Sequence, residues 1–245
     1  MCIRKGIGFF VCMLAAPWVL WSSDFVQNNG QWPKTVLYAV SIPNGIMFIE
    51  EKGVTYHQWD LSGMHHADPT FQPQPSEIRM AGHVWRMEFI GTKGSRFHTG
   101  VGLGLTKYHY FLGDDAQQWQ GNCSSYSEVM QYGVFPGVDL HWYLHQGQVK
   151  MDWIIQPNGR LSDVQWRYLG VDGVNVQPQA IIINHFIGTE EEKIPYAFAQ
   201  NQNRKSPLEV FYHQVNGICS FYSQVEKKVA EQWIIDPQLI FSTYS

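Results

Sequence analysis

The segment Asp139-Leu140-His141-Trp142-Tyr143-Leu144-His145 carries the residue types best suited to chemistry. If it is a strand, side chains two apart share a face. Asp139, His141, Tyr143 and His145 then line one side, while Leu140, Trp142 and Leu144 turn to a core. Two imidazoles beside a carboxylate suit a metal ion or general acid-base work, which makes Asp139, His141 and His145 the candidate ligands. The plainer reading is a strand with one wet face. Trp59, Trp119 and Trp166 are the candidate platforms for a sugar ring or a protein partner, since Trp combines a broad apolar face with a polar edge. Most other rings are expected in the core.

Other constellations carry less. His65-His66 with Asp68 lies in a Pro-rich stretch and reads as a solvated loop. Exported glycosidases use two carboxylates across a cleft, but no spacing singles out a pair, and Glu190–Glu192 reads as a charged turn. There is no G-x-S-x-G elbow, phosphate loop, H-E-x-x-H or C-x-x-C motif. The string GVGLGL at 100–105 lacks the preceding strand and following helix of a phosphate cradle. No cofactor is implied.

The elements that would position these residues are strands. From Asp24 onward, short alternating apolar segments are divided by Gly, Pro and Asn. Expected strands cover 35–40, 45–50, 53–59, 84–90, 138–144, 149–156, 164–169, 180–184, 208–215, 218–225 and 231–235. Turn chemistry marks Pro43-Asn44-Gly45, His145-Gln146-Gly147, Pro157-Asn158-Gly159 and above all Asn216-Gly217. Residues 61–80 read as a surface loop. No long helical stripe appears. The expected architecture is all-β with little helix: an antiparallel sandwich, large or partly closed, forming a single domain over 24–245.

Composition agrees. The 245 residues include 14 Phe, 12 Tyr and 10 Trp, whereas charged residues make up only 16%; soluble domains carry roughly 25%. A hydrophobic share of 44% excludes a disordered chain. A net charge of −4 with no basic run gives nothing for nucleic acid to bind.

Residues 1–23 place Arg4 and Lys5 before an apolar run from Ile7 to Trp21 and then Ser22-Ser23, the order of a secretory signal peptide. Cleavage is expected near Ser22 or Ser23, leaving no transmembrane segment. It also removes Cys2 and Cys12, so the mature chain keeps Cys123 and Cys219. These form either one disulfide in an oxidising compartment or two buried thiols. A bridge closing a loop of about a hundred residues contributes on the order of 4–5 kcal/mol.

Several strings occur together: FVQNNGQWP (25–33), VWRMEFIGTKGS (84–95), YHYFLGDDAQQWQGN (108–122), YGVFPGVDLHWY (132–143), KMDWIIQPNGRLSDVQWRYLG (150–170) and WIIDPQLIFSTYS (233–245). In this combination the chain resembles the N-terminal domain of unknown function of large secreted surface proteins of Bacteroidota, where it precedes β-propeller-type repeats. The resemblance implies export, an all-β module and a place at the cell surface. It brings no catalytic residues, and it implies structural roles for Asn28, Gly30, Gln31, Trp32, Phe135, Pro136, Gly137, Asp139, Asp236 and Pro237. The family usually has an aliphatic or aromatic residue where His141 stands, and its members continue into repeats where this chain stops at Ser245.

The expected function is a non-enzymatic exported module supporting extracellular interaction or adhesion with a glycan or protein. The alternatives are an exported polysaccharide hydrolase and a structural cap on a following repeat region.

Overall fold

The computed structural model of the chain describes residues 24–60, 81–111, 114–115, 119–201, 204–228 and 230–241. Residues 1–23, expected as a leader and holding Cys2 and Cys12, and the Pro-rich stretch 61–80 with His65, His66 and Asp68 lie outside them. The strands are β1 (Phe25–Gln27), β2 (Val36–Ile42), β3 (Gly45–Glu50), β4 (Gly53–Trp59), β5 (Gly82–Phe89), β6 (Phe97–Tyr110), β7 (Gln120–Phe135), β8 (Val138–His145) and β9 (Gln148–Ile155). They continue as β10 (Gln165–Leu169), β11 (Gly173–Gln177), β12 (Ala180–His185), β13 (Gly188–Asn201), β14 (Arg204–Leu208), β15 (Phe211–Val215), β16 (Ile218–Tyr222) and β17 (Gln232–Phe241). Among the described residues the one helical element is a 3-10 turn at Leu161–Asp163.

Every pairing is antiparallel, and all seventeen strands belong to one sheet. One wing runs β1-β2-β3-β4-β5-β10-β16-β15, and the other runs β8-β9-β17-β13-β12-β11. The long strand β7 joins them. It pairs with β1 at Phe25↔Tyr126 and with β8 from Glu128↔Tyr143 onward, and β6 runs along its other edge. At the far ends, Tyr212 N–H donates to Pro178 O at 3.1 Å, tying β15 to the turn after β11. The sheet is thereby nearly closed into a barrel, which leaves few unpaired edges.

Local sequence explains the hairpins. Gln146-Gly147 and Asn216-Gly217 both have positive φ at each position, the twist that two-residue hairpin loops require. Alternation explains the core: Val54, Tyr56 and Gln58 of β4 are buried, as are Trp85, Met87 and Phe89 of β5. Inside the curl, Trp153 stacks on Trp166 (6.1 Å), which packs on Phe221 (4.8 Å), while Phe89 meets Trp153 edge-on (5.3 Å). Truncating one such ring costs about 3–5 kcal/mol, so this ring cluster helps hold the two wings together.

Two expectations are corrected. The strand over 208–215 is two strands, since β14 ends at Leu208 and β15 begins at Phe211. Glu190–Glu192 is no turn but part of β13, with Glu190 and Glu192 buried and Glu191 half-buried on the other face.

Candidate functional site

The outward row on β8 is tied to neighbouring protein groups. Asp139 is nearly buried and both its oxygens are used: Oδ1 accepts from Gly133 N–H and Oδ2 from Gln156 Nε2, each at 2.7 Å. It braces the irregular pairing between β7 and β8, where the register shifts between Gln131 and Phe135. His141 Nε2 lies 2.7 Å from Glu128 Oε2, and its ring stacks on Tyr143. His145 is exposed at the end of its strand. Among the described residues no three His, Cys, Asp or Glu side chains group to hold a metal ion. The three candidate ligands thus do not come together in the described structure: Asp139 is engaged by the Gly133 backbone and the Gln156 side chain, His141 faces Glu128, and His145 is exposed at the strand end.

What the row does form is an acid-base strip across β7, β8, β9 and β17. Tyr143 OH donates to Asp152 Oδ1 (3.2 Å), and Lys150 Nζ lies 3.4 Å from Asp236 Oδ1. Burial, followed by the charge of Asp236, pushes the Asp152 carboxyl up to about 6, while His141, Tyr143 and Lys150 pull it down. Nothing in sequence spacing joins Asp236 to Asp152. The β17–β9 pairing does.

The interior holds a second polar set. Glu190 Oε1 accepts from Gln58 Nε2 (3.0 Å) and lies 3.4 Å from His185 Nε2, and Gln58 Oε1 accepts from Trp85 Nε1 (2.7 Å). Glu192 accepts from Tyr168 OH at 2.6 Å and from Tyr212 OH at 3.0 Å, and burial raises its pKa. Strand periodicity could have found this pair, because i and i+2 share a face, but three consecutive glutamates resemble a turn. The cavity bordered by Glu192, Tyr56, Trp85 and Trp142 is only about 30 Å³. That is room for about one or two waters and far too little for a sugar, so these carboxylates brace the core.

A groove of about 580 Å³ between Pro157–Ser162 and Phe221–Lys228 is roomier. Its cations are engaged internally: Lys227 donates to Pro157 O, Arg160 pairs with Asp163 and Lys228 with Glu231.

The three tryptophans part company. Trp166 is fully buried between Trp153 and Phe221 and cannot be an exposed platform; period-2 alternation placed it on a strand without saying which face was wet. Trp59 is half-buried beside His57. Trp119 is 42% exposed and packs edge-on against Phe111, itself 66% exposed.

That last pair belongs to the most apolar surface described. Half of the exposed large hydrophobic side chains lie on or beside the β6–β7 ribbon: Phe97, Val101, Leu103, Leu105, Phe111, Trp119 and Tyr132. The glycines of GVGLGL explain it. A Cβ at Gly100 would meet the Tyr126 ring at 2.2 Å, and one at Gly102 would meet Ser127 Oγ at 2.2 Å. One side of β6 is thus bare for β7 side chains, leaving Val101, Leu103 and Leu105 with no cover. Cys123 and Cys219, for their part, are separate buried thiols, so the disulfide alternative is dropped.

A nearly closed antiparallel barrel with a braced polar interior and one apolar ribbon defines an all-β module. Its strands belong to a recognised family: residues 25–238 match the domain of unknown function DUF7948, and the chain is a member. No curated protein and no solved structure matches it.

Proposed function

We propose that this chain is an exported, non-catalytic β-module that docks a partner protein through the β6–β7 ribbon at the cell surface of a bacterium of the Bacteroidota. One observation carries the reading: half of the exposed large hydrophobic side chains fall on or beside this one ribbon, and such patches mark interaction surfaces. A protein partner fits better than a glycan, because of the three tryptophans Trp166 is buried, Trp59 is half-buried and Trp119 packs edge-on against Phe111, so they do not line up as one open stacking row. Export rests on the leader pattern of residues 1–23. Among the described residues no helix is long and apolar enough to cross a membrane.

The test is a photo-crosslinking side chain at Leu105, which is fully exposed, in the full chain made in its own host, with exposed Val225 as the reference site. A discrete cross-linked protein at Leu105 and none at Val225 supports the reading. No adduct at Leu105, or the same adducts at both sites, overturns it. N-terminal sequencing of the secreted product checks export, with a start near Ser23 or Asp24 expected.

A further inference from the structure

The loop that joins β1 to β2 borders a pocket of about 290 Å³, whose other walls include Glu51 and His98. That volume is close to the lower end of small-molecule sites, roughly 300 Å³. One side chain sets the loop. Asn28 Nδ2 lies within donating distance of the carbonyl oxygens of Trp32 (3.2 Å), Pro33 (3.0 Å) and Val36 (2.8 Å), while its Oδ1 accepts from Gly30 N–H (2.9 Å) and Trp32 N–H (3.2 Å). The Trp32 ring lines the pocket and is itself fixed edge-on against Tyr110 (5.0 Å) and Phe48 (5.7 Å). Glu51, in the turn between β3 and β4, is held through its backbone: its N–H donates to Thr35 O (3.2 Å) and its carbonyl accepts from Ser95 N–H (3.3 Å). The walls are thus set by the fold before any ligand arrives, which lowers the ordering cost of binding.

Lys34 and Glu51 carry opposite charges into the same pocket, yet among the described residues neither is ion-paired with the other or with any other group. His98 adds a donor of defined tautomer. The Tyr38 hydroxyl accepts from the Gly100 backbone and lies 3.3 Å from His98 Nδ1, so its own proton goes to Nδ1 and the ring proton sits on Nε2. Burial holds His98 below its usual pKa, against the opposing charge of Glu51, and keeps the imidazole neutral. A cationic donor beside a neutral N–H suits a carboxylate, and Glu51 suits an ammonium. A simple anion or cation would satisfy only one of the two charges. Trp32 and Leu37 supply an apolar wall.

We propose that this pocket binds a small zwitterion, an α-amino acid with an apolar side chain, taking its carboxylate at Lys34 and His98, its ammonium at Glu51 and its side chain against Trp32. The site uses none of the exposed side chains of the β6–β7 ribbon, so it stands or falls independently of partner docking there.

Titration calorimetry of the purified chain with L-leucine is the test, with N-acetylleucine and leucinamide as probes that each lack one charge. Leucine is expected to bind saturably at one site, and each derivative about tenfold or more weaker, the loss of one charge-assisted hydrogen bond. Lys34→Met should weaken leucine by a similar factor and bring it level with leucinamide, and Glu51→Gln should bring it level with N-acetylleucine. Both side chains are exposed, so neither change disturbs the core. Lys52→Met, next to Glu51 but outside the pocket, should leave binding unchanged. Absence of saturable leucine binding overturns the proposal. Equal affinity for leucine and both derivatives does so too, as does saturation by glucose with none by leucine.

Discussion

The backbone of Gly137 lies against that of Gly159 so closely that a Cβ on Gly137 would fall 2.6 Å from the Gly159 Cα, and one on Gly159 would fall 2.0 Å from the Gly137 carbonyl oxygen. The contact joins the turn between β7 and β8 to the turn that follows β9. Gln156 N–H donates to Gly137 O (2.8 Å), and Asp139 ties Gly133 to Gln156. Two of the strings by which the chain resembles its family, FPGVD and QPNG, are therefore halves of one knot.

Gly137→Ala is expected to cost about 2–4 kcal/mol, the sum of a left-handed backbone penalty at φ +67° and steric overlap. Gly147, with φ +77° and nothing within 4 Å of a Cβ, is the matched control. Its alanine variant should lose only about 1–2 kcal/mol. Denaturant melts of the two decide it, and equal losses would mean that the Gly137–Gly159 approach contributes nothing.

Much of this was legible in the sequence. Asn216-Gly217 and Gln146-Gly147 are where the turn chemistry placed them, and the all-β class followed from alternation. What was hidden depends on pairing. β6 carries Gly at alternate positions and shows no apolar/polar rhythm, so a 14-residue strand passed unread. β13 opens with Gly-Thr-Glu-Glu-Glu-Lys, in which Thr alone favours strands, and is a strand because β12 and β17 flank it. The candidate site suffered the same way: Asp139 looked like a ligand until the β7–β8 irregularity showed what it holds.

Glu192 is the clearest test of the interior network. Its raised pKa means the folded state binds that proton more tightly than the unfolded chain. The stabilising term is complete below the unfolded pKa and is lost as pH rises through the folded one. Glu192→Gln keeps an acceptor for a tyrosine hydroxyl and removes the charge, so it should match or exceed the parent in stability at pH 8 and flatten the decline above about pH 4–5. Glu192→Ala leaves two buried hydroxyls without their carboxylate and should cost about 2–5 kcal/mol. Chemical melts from pH 4 to pH 8 separate these outcomes, and an unchanged slope in Glu192→Gln would refute the assignment.

The thiols give a simple count. Burial raises both, Cys219 to about 12, which holds them in the unreactive protonated form. Both thiols should resist alkylation in the folded protein at pH 8. Unfolded without reductant, it should take up label at both Cys123 and Cys219. Labelling at neither would mean that the two are bridged.

Asp152 makes the strip on the barrel's outer face measurable. Its carboxyl stands near 6 against an ordinary 3.8, chiefly because it is buried and then because Asp236 adds a like charge. Since the folded value is the higher one, this group's stabilising term is complete below about pH 4 and lost as pH rises through 6. The neighbours act in opposite directions, which sharpens the test. Asp236→Asn removes the like charge and should lower the Asp152 pKa, though burial keeps it above 3.8. His141→Ala and Tyr143→Phe remove a cation and a hydroxyl donor and should raise it. Carboxyl-carbon NMR titration reads all three. A shift of the same sign in Asp236→Asn and His141→Ala would show that burial alone sets the value and that the four-strand strip does not act as one charge-coupled unit.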